Sequence, residues 1–204
     1  MSEETATKGR KAVQSEATRG KLVRAARRLF AKRGYADVGT EEIVRAAGVT
    51  RGALYHHFGG KRDLLEAVYE QVEADLTRKI AEGALGTGAR SPLEAMQAAT
   101  GMFLDACTDP EVQRIVLLDA PAVLGWERWR EIAAKYGLGL IEASLQAAID
   151  AGEIEQQPVK PLAHVLMGAL DEAAMLVARS DDPETREQVA AALGRLTDAM
   201  RVRP

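Results

Sequence analysis

Residues 48–65, GVTRGALYHHFGGKRDLL, concentrate the side chains best suited to chemistry in this chain. From 48 to 62 there is no acid, while Arg51, Lys61, Arg62, Tyr55 and the adjacent pair His56-His57 all fall within fifteen residues. Two chemistries use such groups. A metal site needs both imidazoles on one ion, but neighbours on a helix diverge by about 100°. No cysteine or acid joins the histidines at ligand spacing, so no metal site is expected. Recognition of a polyanion needs only hydroxyl, imidazole, guanidinium and ammonium donors on one surface, and the segment supplies all four. For catalysis the chain offers no nucleophile–base pairing, no HExxH, no phosphate loop and no close carboxylate pair, so neither catalytic residues nor a cofactor are expected.

The charge distribution favours the polyanion. Residues 1–62 hold 14 Lys+Arg against 6 Asp+Glu, whereas 63–204 hold 13 against 24, a split hidden by the overall net charge of −3. A basic head on an acidic body suits nucleic acid, whose phosphates attract Lys and Arg through counterion release. The 47% apolar and 28% charged fractions are those of an ordinary globular protein. Cys107 stands alone, which excludes an internal disulfide and suits a reducing compartment. No apolar signal core opens the chain and no run approaches the ~18 apolar residues of a membrane span, so a cytoplasmic protein without membrane contact is expected.

Helices must position these groups, because the text is rich in Ala and Leu and carries no alternating strand pattern. The class expected is all-α, with about nine helices. Residues 1–15 lack periodicity and read as a mobile basic arm; its Lys8, Arg10 and Lys11 suit either minor-groove contact or a plain tail. From Thr18, the spacing Leu22, Ala25/Ala26, Leu29/Phe30 predicts a helix that stops near Gly34. Thr40 is expected to cap a short helix, TEEIVRAA, and Thr50 a second, TRGALYHHF. A long helix follows from 61 to about 82, with Leu65, Val68, Val72, Leu76 and Ile80 on one face. The Gly-rich stretch 83–92 reads as a connector, and further helices are expected near 92–108, 110–121, 126–151, 160–179 and 183–201. The corresponding domains are a head, 16–62, and a helical body, 63–204.

Three short helices with a tight turn at Ala47–Thr50 make a helix-turn-helix, in which one helix enters the major groove and its neighbour braces it. Leu54 and Phe58 point inward on the third helix, Gly52 and His56 oppose them, and Ala53 and Tyr55 flank. Gly52 and Ala53 are small enough for close approach to bases, and Tyr55 offers a hydroxyl to phosphate and a ring to a thymine methyl. A solvated surface without a partner is the bland alternative for Tyr55 and His57.

The stretch AARRLFAKRGYADVGTEEIVRAAGVTRGALYHHFGGKRDLLEAV, residues 25–68, resembles the N-terminal domain of the tetracycline-repressor (TetR) family of bacterial regulators. The matching signature is Ala47-Gly48-Val49, then Leu54-Tyr55-x-His57-Phe58-x-x-Lys61. The resemblance implies that Thr40 and Thr50 meet phosphates at helix N-termini, and that Arg51, Gly52 and Ala53 approach base edges. It also implies that Tyr55, His57 and Lys61 grip the backbone, with His56 on the same DNA-facing helix. Two departures stand out. Glu41 and Glu42 put acid near the expected phosphates, and Gly60 replaces a side-chain cap before the long helix.

The body is less explicit. LLDAPAVLGWERWREIAAKYG, 117–137, gathers both tryptophans and Tyr136, as a ligand cavity or as ordinary core. Candidate wall residues are Met96, Phe103, Cys107, Trp126, Trp129, Tyr136, His164, Met167 and Glu172. His164 alone on an apolar face equally suits a hydrogen-bonded core histidine, and Asp119 a helix-end cap or a polar anchor. The last two helices carry wide apolar stripes and are expected to pair in a homodimer. The function that follows is a homodimeric repressor on double-stranded DNA, at a near-palindromic operator, released by a largely apolar small-molecule effector. A sequence-tolerant DNA-binding protein without effector, and a small-molecule-binding or enzymatic helical protein, remain the alternatives.

Overall fold

Nine helices follow one another among the described residues, which in this computed structural model are 2–202 for the backbone and 13–202 for side chains. They are α1 (Ser2–Arg33), α2 (Thr40–Ala47), α3 (Arg51–His57), α4 (Lys61–Gly86), α5 (Pro92–Ala106), α6, α7 (Trp126–Asp150), α8 (Val159–Arg179) and α9 (Thr185–Asp198). Helix α6 comprises Pro110–Val112, a π-helical stretch Gln113–Asp119, and Ala120–Leu124. The fold is all-α; an isolated antiparallel bridge, Ile154 to Arg201, is the one extended pairing among the described residues.

The stripes predicted for α1 and α4 are buried, whereas those of α8 and α9 are partly exposed, at Val165, Leu176 and Leu196. Leu22, Ala25, Ala26 and Phe30 of α1 close over Ile43, Val44, Leu54 and Phe58 of the next two helices. The α4 stripe, Leu65, Val68, Val72, Leu76 and Ile80, is buried throughout. One apolar cluster runs unbroken from Leu22 and Leu54 through α4 to Trp129 and Val177, so head and body share a core. A second, around Leu93, Met96, Leu145 and Ala163, closes the far end.

Several boundaries differ from the sequence reading, each for a physical reason. Helix α1 begins at Ser2, where an aperiodic arm through residue 15 was expected. That segment's Ala, Glu, Lys, Arg and Gln all propagate a helix once the packed turns beyond it have nucleated one. The side chains of Lys8, Arg10 and Lys11, which suit either minor-groove contact or a plain tail, lie outside the described residues. Helix α4 continues to Gly86, into the expected connector. Its Gly83 meets α5 closely: a Cβ there would stand 2.7 Å from Met102 Sδ, so the glycine is a packing contact rather than a break. Helix α6 extends to Leu124 through Pro121, which has no N–H to give to Leu117 and whose ring would crowd that carbonyl. The widened π turn relieves the clash, and the Ala120 N–H bonds Ile115 O five residues back. Helix α8 is long and apolar enough to cross a membrane, contrary to the expectation that no segment approaches this. One face of it packs within the bundle, with Ala163, Met167, Ala173, Ala174 and Val177 buried, while Val165 and Leu176 are exposed on the other.

The turn that aims the reading helix depends on Gly48, whose φ of 65° is left-handed and whose N–H returns to Val44 O and Arg45 O. Space is not the constraint there, since a Cβ would meet nothing within 4 Å. Gly48→Ala is therefore expected to cost about 1 kcal/mol, from backbone conformation alone. Urea unfolding checks this: the midpoint should fall with an unchanged slope.

Candidate nucleic-acid interface and ligand cavity

Helix α3 is held from behind and open in front. Thr50 caps it, its hydroxyl accepting from Ala53 N at 3.2 Å, while Leu54 and Phe58 are buried beneath. Arg51, Gly52, Tyr55 and His56 are exposed on the outer face, with Ala53 and His57 half-buried. A Cβ at Gly52 would meet only Thr50 Oγ1, at 3.9 Å, so the backbone there can be approached closely. The imidazoles of His56 and His57 lie edge to face with centroids 5.1 Å apart, and no group of three metal-ligating side chains occurs among the described residues. Arg51 stacks over the Tyr55 ring at 5.6 Å and pairs with Glu41 at 2.9 Å. Both ends of that pair are mostly exposed, so it is weak and yields readily to a phosphate or a guanine. Glu42 pairs with Arg33, so both acids on α2 are balanced locally.

Two expected DNA contacts sit differently. Gly39, not Thr40, is the N-cap of α2; Thr40 is its first helical residue and half-buried. Lys61 turns inward. Its ammonium donates to Tyr35 O at 2.8 Å and Val38 O at 2.9 Å and lies 4.0 Å from the Tyr35 ring centroid. Burial holds that ammonium below its usual range, against the pull of Asp119 and Asp37. Lys61 thus ties the α1–α2 turn to the start of α4 and has at most one N–H left for phosphate. The missing cap at Gly60 is compensated from inside α4, where Asp63 accepts the Gly59 N–H at 3.0 Å.

The same turn is fastened to the body. Tyr35 N donates to Asp119 Oδ2 at 2.7 Å, so Asp119 is neither of the roles expected for it but an acceptor for the head. Burial raises the Asp119 carboxyl, while the Tyr35 N–H, Arg114 and Lys61 pull it back down. Arg27 of α1 grips both oxygens of Glu111, at 2.9 and 2.7 Å, and Asp75 of α4 at 2.7 Å. Arg62 donates to Leu124 O at 3.1 Å. Helix α6 therefore meets the head at Glu111, Asp119 and Leu124.

On its other side α6 walls a cavity of about 130 Å³ lined by α4 to α9. Met96, Phe103, Trp129 and Met167 line it, as the sequence suggested, beside Val116 and Leu117 of the π stretch. The other five candidates do not. Cys107 is sealed in the core, where burial pushes its thiol up to about 12. Trp126 is 58% exposed and stacks on Trp129 at 4.8 Å. Tyr136 faces α1 instead, beside Arg19 and Arg24, and His164 and Glu172 are exposed. Trp129 is anchored by its indole N–H on Val116 O at 2.8 Å, a carbonyl of the π stretch.

The polar groups of the wall were missed altogether: Glu73, Thr77, Thr100, Ser144, Asp171 and Thr197. The charged pair had a signal, an acid inside an apolar stripe. Glu73 falls in Tyr69–Glu73–Leu76–Ile80, and Asp171 in Met167–Asp171–Ala174. Asp171 pairs with Arg130 of α7. Burial pushes the Glu73 carboxyl up to about 7, with Tyr69 opposing.

Comparison with known proteins bears on both regions. Residues 22–68 match the family described as bacterial regulatory proteins, tetR family, and residues 93–200 match the tetracyclin repressor-like C-terminal domain. The transposon Tn10 TetC protein of Escherichia coli is 30% identical over 151 residues, 72% of this chain and 73% of its own length. The transcriptional regulator SrpR of Pseudomonas putida is 46% identical over 57 residues, 28% of this chain and 27% of its own. The crystal structure of a TetR-family regulator from Pectobacterium atrosepticum superposes with a TM-score of 0.82 at 34% identity, covering 94% of this chain and 98% of that one.

A pH dependence of stability follows from Glu73. The unfolded chain releases this proton near pH 4.5, but the folded one keeps it to about 7. Stability is therefore lost as pH rises from 4.5 to 7 and stays lowered above, by roughly 3 kcal/mol. Glu73→Gln should remove that penalty. Thermal unfolding of the two proteins should diverge between pH 5 and pH 8, the variant being the more stable at pH 8; parallel profiles would contradict the assignment.

Proposed function

Because the chain belongs to the tetracycline-repressor (TetR) family of bacterial regulatory proteins, and so is a helix-turn-helix transcriptional regulator, we propose that it acts as a homodimeric repressor released from its operator by a small molecule. The observation that carries the proposal is α3: capped by Thr50, fixed from behind by Leu54 and Phe58, and bare in front at Arg51, Gly52 and Tyr55. In this reading residues 16–62 are the DNA-binding head and 63–204 the ligand-binding and dimerising body. Thr50 and the α3 N-terminus meet phosphate, Arg51 swings from Glu41 to a guanine, and Gly52 and Ala53 let the helix sit deep. Tyr55 and His57 hold the backbone with Thr40 and His56 at the margins, while Lys61 acts through the α1–α2 turn it ties.

Dimerisation is proposed through α8 and α9, whose outer faces expose Val165 at 69%, Leu176 at 52% and Leu196 at 56%. Ala191, Ala192 and Ala199 lie exposed along the same α9 surface, and small residues favour close helix contact. A two-fold dimer places two reading helices roughly 34–36 Å apart on a near-palindromic site. A ligand in the cavity bears on Val116 and Leu117, and through the rest of α6 on Asp119 and the head. To change occupancy 100-fold it must prefer the non-binding state by about 2.7 kcal/mol. No reaction is proposed for the cavity, and the regulator would work in the cytoplasm, where its DNA is.

The test is selection of bound duplexes from a random pool at physiological salt, followed by titration of variants on the selected site. Tyr55→Ala should weaken binding to every sequence alike. Arg51→Ala should cost about 1–3 kcal/mol and relax the preference at one base pair per half-site. A protein that prefers no sequence more than a few-fold over random DNA would instead be the sequence-tolerant binder.

A further inference from the structure

The cavity is rich in acceptors and poor in free donors. Of the four hydroxyls in its wall, those of Thr100, Ser144 and Thr197 spend their protons within their own helices, on Met96 O at 3.0 Å, Leu140 O at 2.9 Å and Gly194 O at 2.9 Å, which leaves Thr77 as the one free hydroxyl donor. The indole N–H of Trp129 is spent on Val116 O. Of the two carboxylates in the wall, Asp171 is neutralised by Arg130. Glu73 is 8% exposed, and no Lys, Arg or His pairs with it among the described residues. An anion entering this space would meet an acid and no open cation, and a neutral acceptor would find few protons. A ligand that brings its own donors and positive charge would complete Glu73, and the faces of Trp129 and Phe103 would attract it further.

The geometry points to a lipophilic amine, a small apolar body bearing one ammonium group, as the ligand of this cavity, with Glu73 as its counter-ion. This assignment rests on the reading of the cavity as the effector site and specifies its chemistry. At about 130 Å³ the space suits a molecule near the size of benzene, which cavities of roughly 150 Å³ admit. The body lies among Leu76, Phe103, Trp129 and Met167, and the ammonium donates to the Glu73 carboxylate. Uptake therefore displaces the proton that burial keeps on Glu73, and affinity rises with pH through 7. The neighbouring groups do not compete in that range. Burial raises the Cys107 thiol to about 12 and the Tyr69 phenol beyond its usual range.

Calorimetric titration of the full-length protein with benzylamine, benzyl alcohol and benzoate, at pH 6, 7 and 8, tests the assignment. Benzylamine should bind at least ten-fold tighter than benzyl alcohol at pH 8, its lead shrinking several-fold at pH 6, with benzoate the weakest. In Glu73→Gln, benzylamine should fall to the level of the alcohol, with the alcohol's own affinity unchanged. Binding of the alcohol or benzoate in preference to the amine, or an amine affinity indifferent to Glu73→Gln, would overturn the cation assignment and leave the effector cavity standing. Failure of all three probes to bind at millimolar concentration would overturn both.

Discussion

One hydrogen bond, from the Tyr35 amide to the Asp119 carboxylate, sits where the rest of the molecule converges. Tyr35 belongs to the turn between α1 and α2, and Asp119 closes the π stretch whose other side walls the cavity. Around this bond the turn is locked by Lys61, which uses two of its three N–H groups on Tyr35 O and Val38 O. A carboxylate and an ammonium that are each partly withdrawn from water are costly alone, and here each lowers the cost of the other. The aim of α3 depends on the turn, the turn on Asp119, and Asp119 on the shape of α6.

Helix α6 is suited to that place because it is irregular. Pro121 forbids a regular ladder, and the wider turn it imposes leaves Val116 O to the Trp129 indole. Trp129 is buried in the cavity wall and stacks on Trp126, which is open to solvent. Trp129 is thus hydrogen-bonded to the same backbone segment that carries Asp119, the acceptor for Tyr35. The apolar core runs continuously from Leu22 to Val177, so head and body are packed against each other.

How much of this could be read from the sequence depends on the kind of signal. Helical stripes such as Leu65–Val68–Val72–Leu76–Ile80, the Thr50 cap and the Ala47–Thr50 turn are local, and the structure has them where their spacing puts them. Boundaries failed where tertiary packing overruled composition, as at Gly83 against Met102 and at Pro121 inside α6. Side-chain direction was the harder question. Lys61 occupies the expected position in the motif, yet its ammonium faces two carbonyls that no spacing rule places nearby. Aromatic residues mark the cavity only in part, since Trp126 faces solvent and Tyr136 packs toward α1, while the distinctive groups of the wall are Glu73 and Asp171. An acid on a helix ordinarily reads as solvated surface; only its place within an apolar stripe betrays it.

Asp119 fastens the DNA-reading head to the helix that walls the cavity. Native-state hydrogen exchange of the Tyr35 amide tests it most directly, in the natural protein and in Asp119→Ala. Loss of the acceptor should leave that amide without its partner at about 1–3 kcal/mol, or roughly 5- to 150-fold faster exchange. The acceleration should extend through residues 34–62 and spare the cluster around Leu93 and Leu145. Exchange at Tyr35 that is already fast in the natural protein, or unchanged in the variant, would contradict the claim.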